Sequence, residues 1–248
     1  MAASESRNYN QEYQDTADHK YAYDFDNVLR HYMMQSFKPY IKSTAGAALE
    51  MGCFKGEFTE ILTKYFSNLT VIEASDELVD YTQKRVGGNV KFICSTFETY
   101  ESGEKYDYIF LMHTLEHLDN PKEVLQKVST WLSDIGVLYL VCPNANAPSR
   151  QIAVKMGLIS HNAAITPAEK EHGHRKTYSL DTLEQETVET GLKVTHRGGI
   201  FFKTLANYQF DKLMGGDVIS QGYLDGCYQL GMLYPDLCAS IYLICEKK

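Results

Sequence analysis

Residues 45–56 read Ala45-Gly46-Ala47-Ala48-Leu49-Glu50-Met51-Gly52-Cys53-Phe54-Lys55-Gly56. Small apolar residues run into a carboxylate and then a glycine turn at Gly52. Behind the turn, Phe58, Ile61, Leu62, Tyr65 and Phe66 fall on one face of a helix. A short strand turning at glycine into a helix opens a βαβ unit, and glycine there lets the backbone come close to a ligand.

The pattern repeats downstream. LTVIEAS (69–75) is a second strand, and Ser75 caps a helix carrying Leu78, Val79, Thr82 and Val86. VKFICSTF (90–97) and YDYIFLMH (106–113) are the third and fourth strands, joined by a stretch (98–105) too short and polar for a helix. Asn120, Pro121 and Glu123 start another helix, with a cap, a proline at its first position and an acid at its third. Val124, Val128, Trp131 and Leu132 stripe that helix, and GVLYLVCP (136–143) is the fifth strand. Strands this continuously apolar are buried on both faces, which predicts an α/β fold with a doubly wound, mostly parallel sheet.

Upstream, Phe25, Val28, Leu29, Tyr32 and Met33 mark an amphipathic helix that Pro39 closes, so residues 1–44 are expected to form an N-terminal helical lid on a domain spanning 45–248. Residues 144–178 lack periodicity and read as an excursion. A helix capped by Ser179 and ended by Gly191 leads to a strand over 192–203. The segment 204–238 is too long for a turn and reads as a helical insertion before the last strand, 239–248.

Composition narrows the function. With 44% hydrophobic residues and 23% charged, 248 residues are ample for a core. A net charge of −8 argues against a nucleic-acid backbone or an anionic membrane as partner. No stretch has the length of a membrane helix and the N-terminus has no signal-peptide core, so a cytoplasmic location is expected. The six cysteines form no CxxC pair, and Cys94, Cys142 and Cys245 each end an apolar run, which suggests reduced, buried thiols.

Glu73 ends the second strand 21 residues after Gly52, where a carboxylate accepts hydrogen bonds from both ribose hydroxyls of an adenosine-type cofactor. Glu50 then decides between cofactors. It stands where a dinucleotide turn has its first glycine, and its charge repels a diphosphate while favouring a cation. S-adenosylmethionine, with an ammonium and a sulfonium and no phosphate, fits that sign.

These residues resemble the class I S-adenosylmethionine-dependent methyltransferases. ALEMGCFKG looks like their first motif, VIEAS like the ribose acid and STFE like the adenine loop. YDYIFLMHTLEHLDNPKEVLQKVSTWLSDIGVLYLVCPN is similar to the branch of ubiquinone-biosynthesis O-methyltransferases and aminosugar N-methyltransferases. The resemblance implies a Rossmann-like seven-stranded sheet of order 3-2-1-4-5-7-6, with the seventh strand antiparallel. By the same likeness Gly52, Cys53 and Gly56 lie against the methionyl and ribose parts and Glu50 near the amino group. Ala74 and Ser75 flank the adenine, Thr96 and Phe97 meet its edge and face, and Met112 and His113 line the methionyl side.

For catalysis, His117 follows the fourth strand at the edge where open sheets hold their sites, and a histidine there can take a proton from the acceptor. Packing at a helix start is the plainer role for it. Glu116 beside it raises a divalent-cation site, but two adjacent ligands do not make one, and no metal is expected. Glu171-His172-Gly173-His174-Arg175 lacks a cysteine or an HExxH helix, so His174 reads as a second base and His172 as a substrate contact, with an exposed loop the plainer alternative. Tyr9, Tyr13, Tyr21 and Tyr23 are candidates for an aromatic lid, and Tyr9, Tyr13 and Tyr178 for the acceptor pocket. Tyr178, Phe201, Phe202, Tyr208, Phe210 and Tyr223 suggest a small organic acceptor, such as a sugar, quinone-like or natural-product hydroxyl, or a nitrogen. A homodimer is compatible with the sequence. An NAD-linked reductase and a non-catalytic partner protein are the rival readings.

Overall fold

The computed structural model describes residues 7–17 and 23–248. Seven strands form one sheet: β1 (Ala48–Met51), β2 (Leu69–Glu73), β3 (Lys91–Cys94), β4 (Tyr106–Met112), β5 (Leu132–Pro143), β6 (Leu192–Phe202) and β7 (Cys238–Lys247). Their order is β3-β2-β1-β4-β5-β7-β6, parallel except for β7, which runs antiparallel to both β5 and β6. The strand order reverses between β1 and β4, and the carboxyl ends of those two strands open the crevice in which such sheets bind ligands.

The helices are α1 (Tyr9–Ala17), α2 (Asp24–Phe37), α3 (Glu57–Leu62), α4 (Asp76–Val86), α5 (Pro121–Trp131), α6 (Pro148–Lys155), α7 (Pro167–Glu171), α8 (Leu180–Val188), α9 (Asn207–Met214) and α10 (Gln221–Leu233). Ser75 caps α4 by accepting from the Leu78 N–H, and Ser179 caps α8 by accepting from the Thr182 N–H. Asn120 precedes α5 as expected but makes no capping bond, so Pro121 at the first helical position is the local start signal. The excursion 144–178 carries α6 and α7, and α9 and α10 supply the helical insertion.

The apolar strands bury both faces. In β4, Tyr108 and Phe110 join a cluster with Phe25, Leu29, Met33 and Phe37 of α2, together with Phe201 and Phe210. Ile109 and Leu111 point the other way, onto Val124, Val128 and Trp131 of α5 and Leu180 and Leu183 of α8. Each fully buried side chain of this kind contributes about 1.5–3 kcal/mol of transfer free energy, so α2 is fixed to the sheet by its stripe. Phe201 and Phe210, expected near the acceptor, are core residues, and Tyr223 is exposed. Phe201 holds a left-handed backbone (φ 67°) at the end of β6. Cys94 is exposed on the edge strand, against the expectation of burial, while Cys142 and Cys245 are buried and all six thiols are free. Among the described residues no helix is long and apolar enough to cross a membrane.

Candidate active site

β1 ends beside Gly52 (φ 81°), where a Cβ would fall 2.9 Å from Thr114 Oγ1. The chain then turns through Phe54, also left-handed (φ 48°). At the end of β2 the Glu73 carboxylate sits in a cup of backbone donors. Its Oε2 accepts from Cys53 N–H (3.1 Å) and Phe54 N–H (3.4 Å), and its Oε1 from Ala74 N–H (2.8 Å) and Ser75 N–H (3.1 Å). Burial raises its pKa, and these four donors oppose the rise without cancelling it. Glu50 is 2% exposed, and its Oε2 has no hydrogen-bond partner. Burial first, and the nearby Glu73 charge among the lesser causes, pushes its carboxyl up to about 8.

The tip of β4 forms the second wall. His113 (φ 49°) places Nε2 2.9 Å from Ser240 Oγ of β7, and burial lowers its pKa to about 3. The following turn presents Glu116, 1% exposed, with neither oxygen hydrogen-bonded and its pKa raised to about 8 by burial. His117 Nε2 lies 3.9 Å from Glu116 Oε1. The His117 ring meets the His174 ring edge-on, with centroids 4.6 Å apart. Burial, then the neighbouring His174, holds His117 well below the ordinary histidine range. Burial lowers His174 as well. The loop bearing His174 is tied in by Arg175 N–H donating to the Glu116 carbonyl at 2.7 Å.

α1 crosses over both walls. Asn10 accepts from Ser75 Oγ and donates to Asp76, each at 2.6 Å, while Arg7 donates to the His117 carbonyl at 3.0 Å. Tyr13 meets the Phe54 ring edge-on at 6.3 Å. Together these elements enclose a cavity of about 700 Å³, within the range of small-molecule sites.

Comparison with known proteins settles the family. A family model described as a methyltransferase domain matches residues 21–197. The chain belongs to this methyltransferase family. It is 30% identical over 100 residues to (S)-coclaurine N-methyltransferase of Papaver somniferum, a match covering 38% of this chain and 28% of that enzyme. It is 23% identical over 163 residues to the ubiquinone biosynthesis O-methyltransferase of Sinorhizobium fredii, covering 64% of each. The chain therefore spans less than two thirds of either relative. Among solved structures, the N-methyltransferase NodS from Bradyrhizobium japonicum WM9, in complex with S-adenosyl-L-homocysteine, superimposes with a TM-score of 0.60 at 13% identity, over 96% of this chain and 97% of that one. That likeness shows the class I sheet.

Most residues singled out in the sequence meet in the cavity of this methyltransferase domain. Glu50, Gly52, Cys53, Glu73, Ala74, Ser75 and Phe97 line it. Met112, His113, His117, His172, His174, Tyr9, Tyr13 and Tyr23 line it as well. Tyr21 lies outside the described residues.

Besides Phe201, Phe202, Phe210 and Tyr223, three singled-out residues do not line the cavity. Gly56 (φ 79°) begins α3, where a Cβ would fall 2.6 Å from Thr82 Cγ2, so it serves helix packing. The Thr96 hydroxyl is bonded to Thr99 Oγ1 at 2.8 Å within its own turn. Tyr178 is wholly buried in the core on the α5 and α8 side, its hydroxyl donating to Glu186 at 2.9 Å. It is not a substrate contact. Burial raises the Cys53 thiol, so it stays protonated, in keeping with a packing role.

Arg30, Asp26, Lys203, Asn207 and Ser240 also line the cavity and were not singled out. The pair Glu116 and His117 gains a third donor in His174, with one ligand atom of each within 4.8 Å of the others, a donor set a divalent metal could use.

The buried acids make stability depend on pH. Glu50 and Glu116 bind a proton up to about pH 8 in the folded protein and release it near 4.5 when unfolded. Folding is therefore weakened as pH rises from 4.5 to 8, by about 1.4 kcal/mol per unit for each group. His113, folded-state pKa about 3, acts oppositely but only below its ordinary 6.5. Between pH 6.5 and 8 the acids dominate, so the thermal midpoint of the empty protein should fall across that window. A Glu50→Gln variant should show a shallower fall, read by calorimetric melting at matched ionic strength.

Proposed function

We propose that this chain transfers the methyl group of S-adenosylmethionine to an oxygen or nitrogen of a small organic acceptor. The observation that carries this reading is the pair of carboxylates, buried Glu50 and half-buried Glu73, at the ends of adjacent strands and lining one cavity together with His117. Glu73 binds the ribose hydroxyls. Glu50, held protonated at neutral pH by burial, recovers its charge against the cofactor's ammonium. Among the described residues Arg30 makes one hydrogen bond, to Asn27, and its charge is felt at both Glu50 and His113, which supports pairing it with the cofactor's carboxylate. Phe97, Leu78 and Ser75 receive the adenine, and the sulfonium faces Met112 and His113. The N-terminal helix, seated from Asp76 to His117, acts as the lid and excludes water.

The acceptor enters between the excursion 144–178 and the β6–α9 connection. Its nucleophile attacks the methyl carbon in line with the departing sulfur, leaving S-adenosylhomocysteine. Holding the two reactants in that alignment supplies most of the acceleration. His117, kept neutral by burial, offers a nitrogen lone pair to the acceptor's proton, with the Glu116 carboxyl 3.9 Å from its Nε2. His174 orients the His117 ring and serves as the second base. Because His117 needs that lone pair, the site works without a metal. The acceptor class favoured is a hydroxyl on a sugar, quinone-like or natural-product scaffold.

The test is to incubate the protein with methyl-labelled S-adenosylmethionine and a small-molecule extract of its host, before and after dialysis against EDTA. A labelled small molecule, formed equally after chelation, is expected. Binding of the cofactor with no labelled product would favour a non-catalytic partner protein, and activity lost to EDTA and restored by a divalent cation would make Glu116, His117 and His174 a metal centre.

A further inference from the structure

Four cationic side chains line the cavity: Arg7, Arg30, Arg150 and Lys203. Arg7 is paired with Glu12, and Arg150 with Glu169. Among the described residues, Arg30 and Lys203 have no carboxylate at ion-pair distance. The cofactor proposed above brings one carboxylate, and Arg30, beside Glu50, is the cation it meets. Lys203 is left over.

Lys203 follows β6 and is only 6% exposed. Its ammonium donates to the Leu205 carbonyl at 3.0 Å and to Asn207 Oδ1, both uncharged. Asn207 Nδ2 in turn donates to Asp26 Oδ1 at 2.8 Å, and Asp26 Oδ2 accepts the Tyr23 N–H at 2.8 Å. Asp26 thus anchors Asn207, and through it Lys203, while touching Lys203 with neither oxygen. The Phe25 ring, 5.2 Å from Nζ, flanks the ammonium. Among the described residues one N–H of this buried, immobilised cation has no acceptor, and the side chain lines the cavity. Burial lowers its pKa to about 8, with the distant Asp26 opposing the shift only in part. A buried charge is costly unless it is paired, so this ammonium suits a ligand that brings the counter-charge.

We propose that the methyl acceptor carries a carboxylate and that Lys203, held by Asn207 and Asp26, binds it. A monoanion matches the single spare N–H, whereas a phosphate dianion would leave charge unmet and face Asp26. This inference rests on the cofactor assignment above, since it assumes that Arg30 is already occupied.

The test titrates benzoate, benzamide and phenyl phosphate into the full chain saturated with S-adenosylhomocysteine, followed by ligand-observed NMR. Wild-type protein should bind benzoate about tenfold or more tightly than benzamide, the effect of one charge-assisted hydrogen bond, and phenyl phosphate more weakly than benzoate. In Lys203→Met the preference for benzoate over benzamide should vanish, while calorimetric affinity for S-adenosylhomocysteine stays within about twofold. Benzamide binding as well as benzoate in the wild type, no benzoate binding, tighter phenyl phosphate, or a preference surviving in Lys203→Met would each overturn the proposal. The wild-type comparison needs no variant, so a poorly folded Lys203→Met does not protect it. A chain that fails to bind S-adenosylhomocysteine at all removes the cofactor assignment, and this inference with it. That failure shows in the calorimetry before any benzoate is added.

Discussion

Glu73→Ala should lower the affinity for S-adenosylhomocysteine by about 10²–10³-fold, the loss of two hydrogen bonds to a charged acceptor. The same substitution strands four backbone N–H groups, those of Cys53, Phe54, Ala74 and Ser75, that now share the carboxylate. A fall in thermal midpoint is therefore expected even without ligand, because a donor left unpaired away from water costs about 1–3 kcal/mol. Glu73→Gln separates the two effects. It keeps one oxygen for the cup and removes the charge, so its melting temperature should be the less affected of the two while its affinity still drops. Calorimetric titration and melting of both variants decide the matter, and an unchanged affinity in Glu73→Ala would remove the ribose assignment.

The second large effect is expected at His117. His117→Ala should lower turnover by about 10²–10⁴-fold, the usual span for loss of a general base, and leave cofactor affinity near that of the wild type. The pH profile tells more than the rate. Burial, then His174, keeps the His117 pKa well below 6.5, so the neutral ring is fully populated at neutral pH and protonation removes the base only in more acidic solution. Wild-type turnover should show no acid limb at the ordinary histidine pKa. His174→Ala removes the second cause, so any acid limb should move upward in that variant. Full turnover of His117→Ala across the pH range would leave the ring a packing residue.

Much of the architecture was legible because the physics is local. Strands such as 106–113 are apolar on both faces, and only a sheet covered on both sides accommodates that. Ser75 and Ser179 announced their helices by an oxygen placed for the third N–H. The Glu50 and Glu73 spacing carried over into neighbouring strand ends for the same reason: β1 and β2 pair in parallel with Glu50 beside Val71. What stayed hidden was set by distance along the chain. Arg30 and Lys203 reach the cavity from 22 residues before and 151 after Gly52, with only a lysine at the end of an apolar run as a signal. Tyr178 misled because an aromatic at a loop end looks like a pocket residue, and its partner Glu186 becomes visible only once α8 turns it inward. Gly56 resembles a ligand-facing glycine in the sequence, yet its freedom serves the approach of Thr82.

Phe54, His113 and Phe201 all hold left-handed backbone without being glycine. Such residues each cost about 1–3 kcal/mol, comparable to a large part of the margin by which a domain stays folded. Two of them shape the cavity wall and the third lies two residues from Lys203. The molecule is thus held under tension at three corners by the rest of the sheet. Core substitutions far from any ligand, in α5 or α10 for instance, meet a protein with less slack than its well-packed interior suggests.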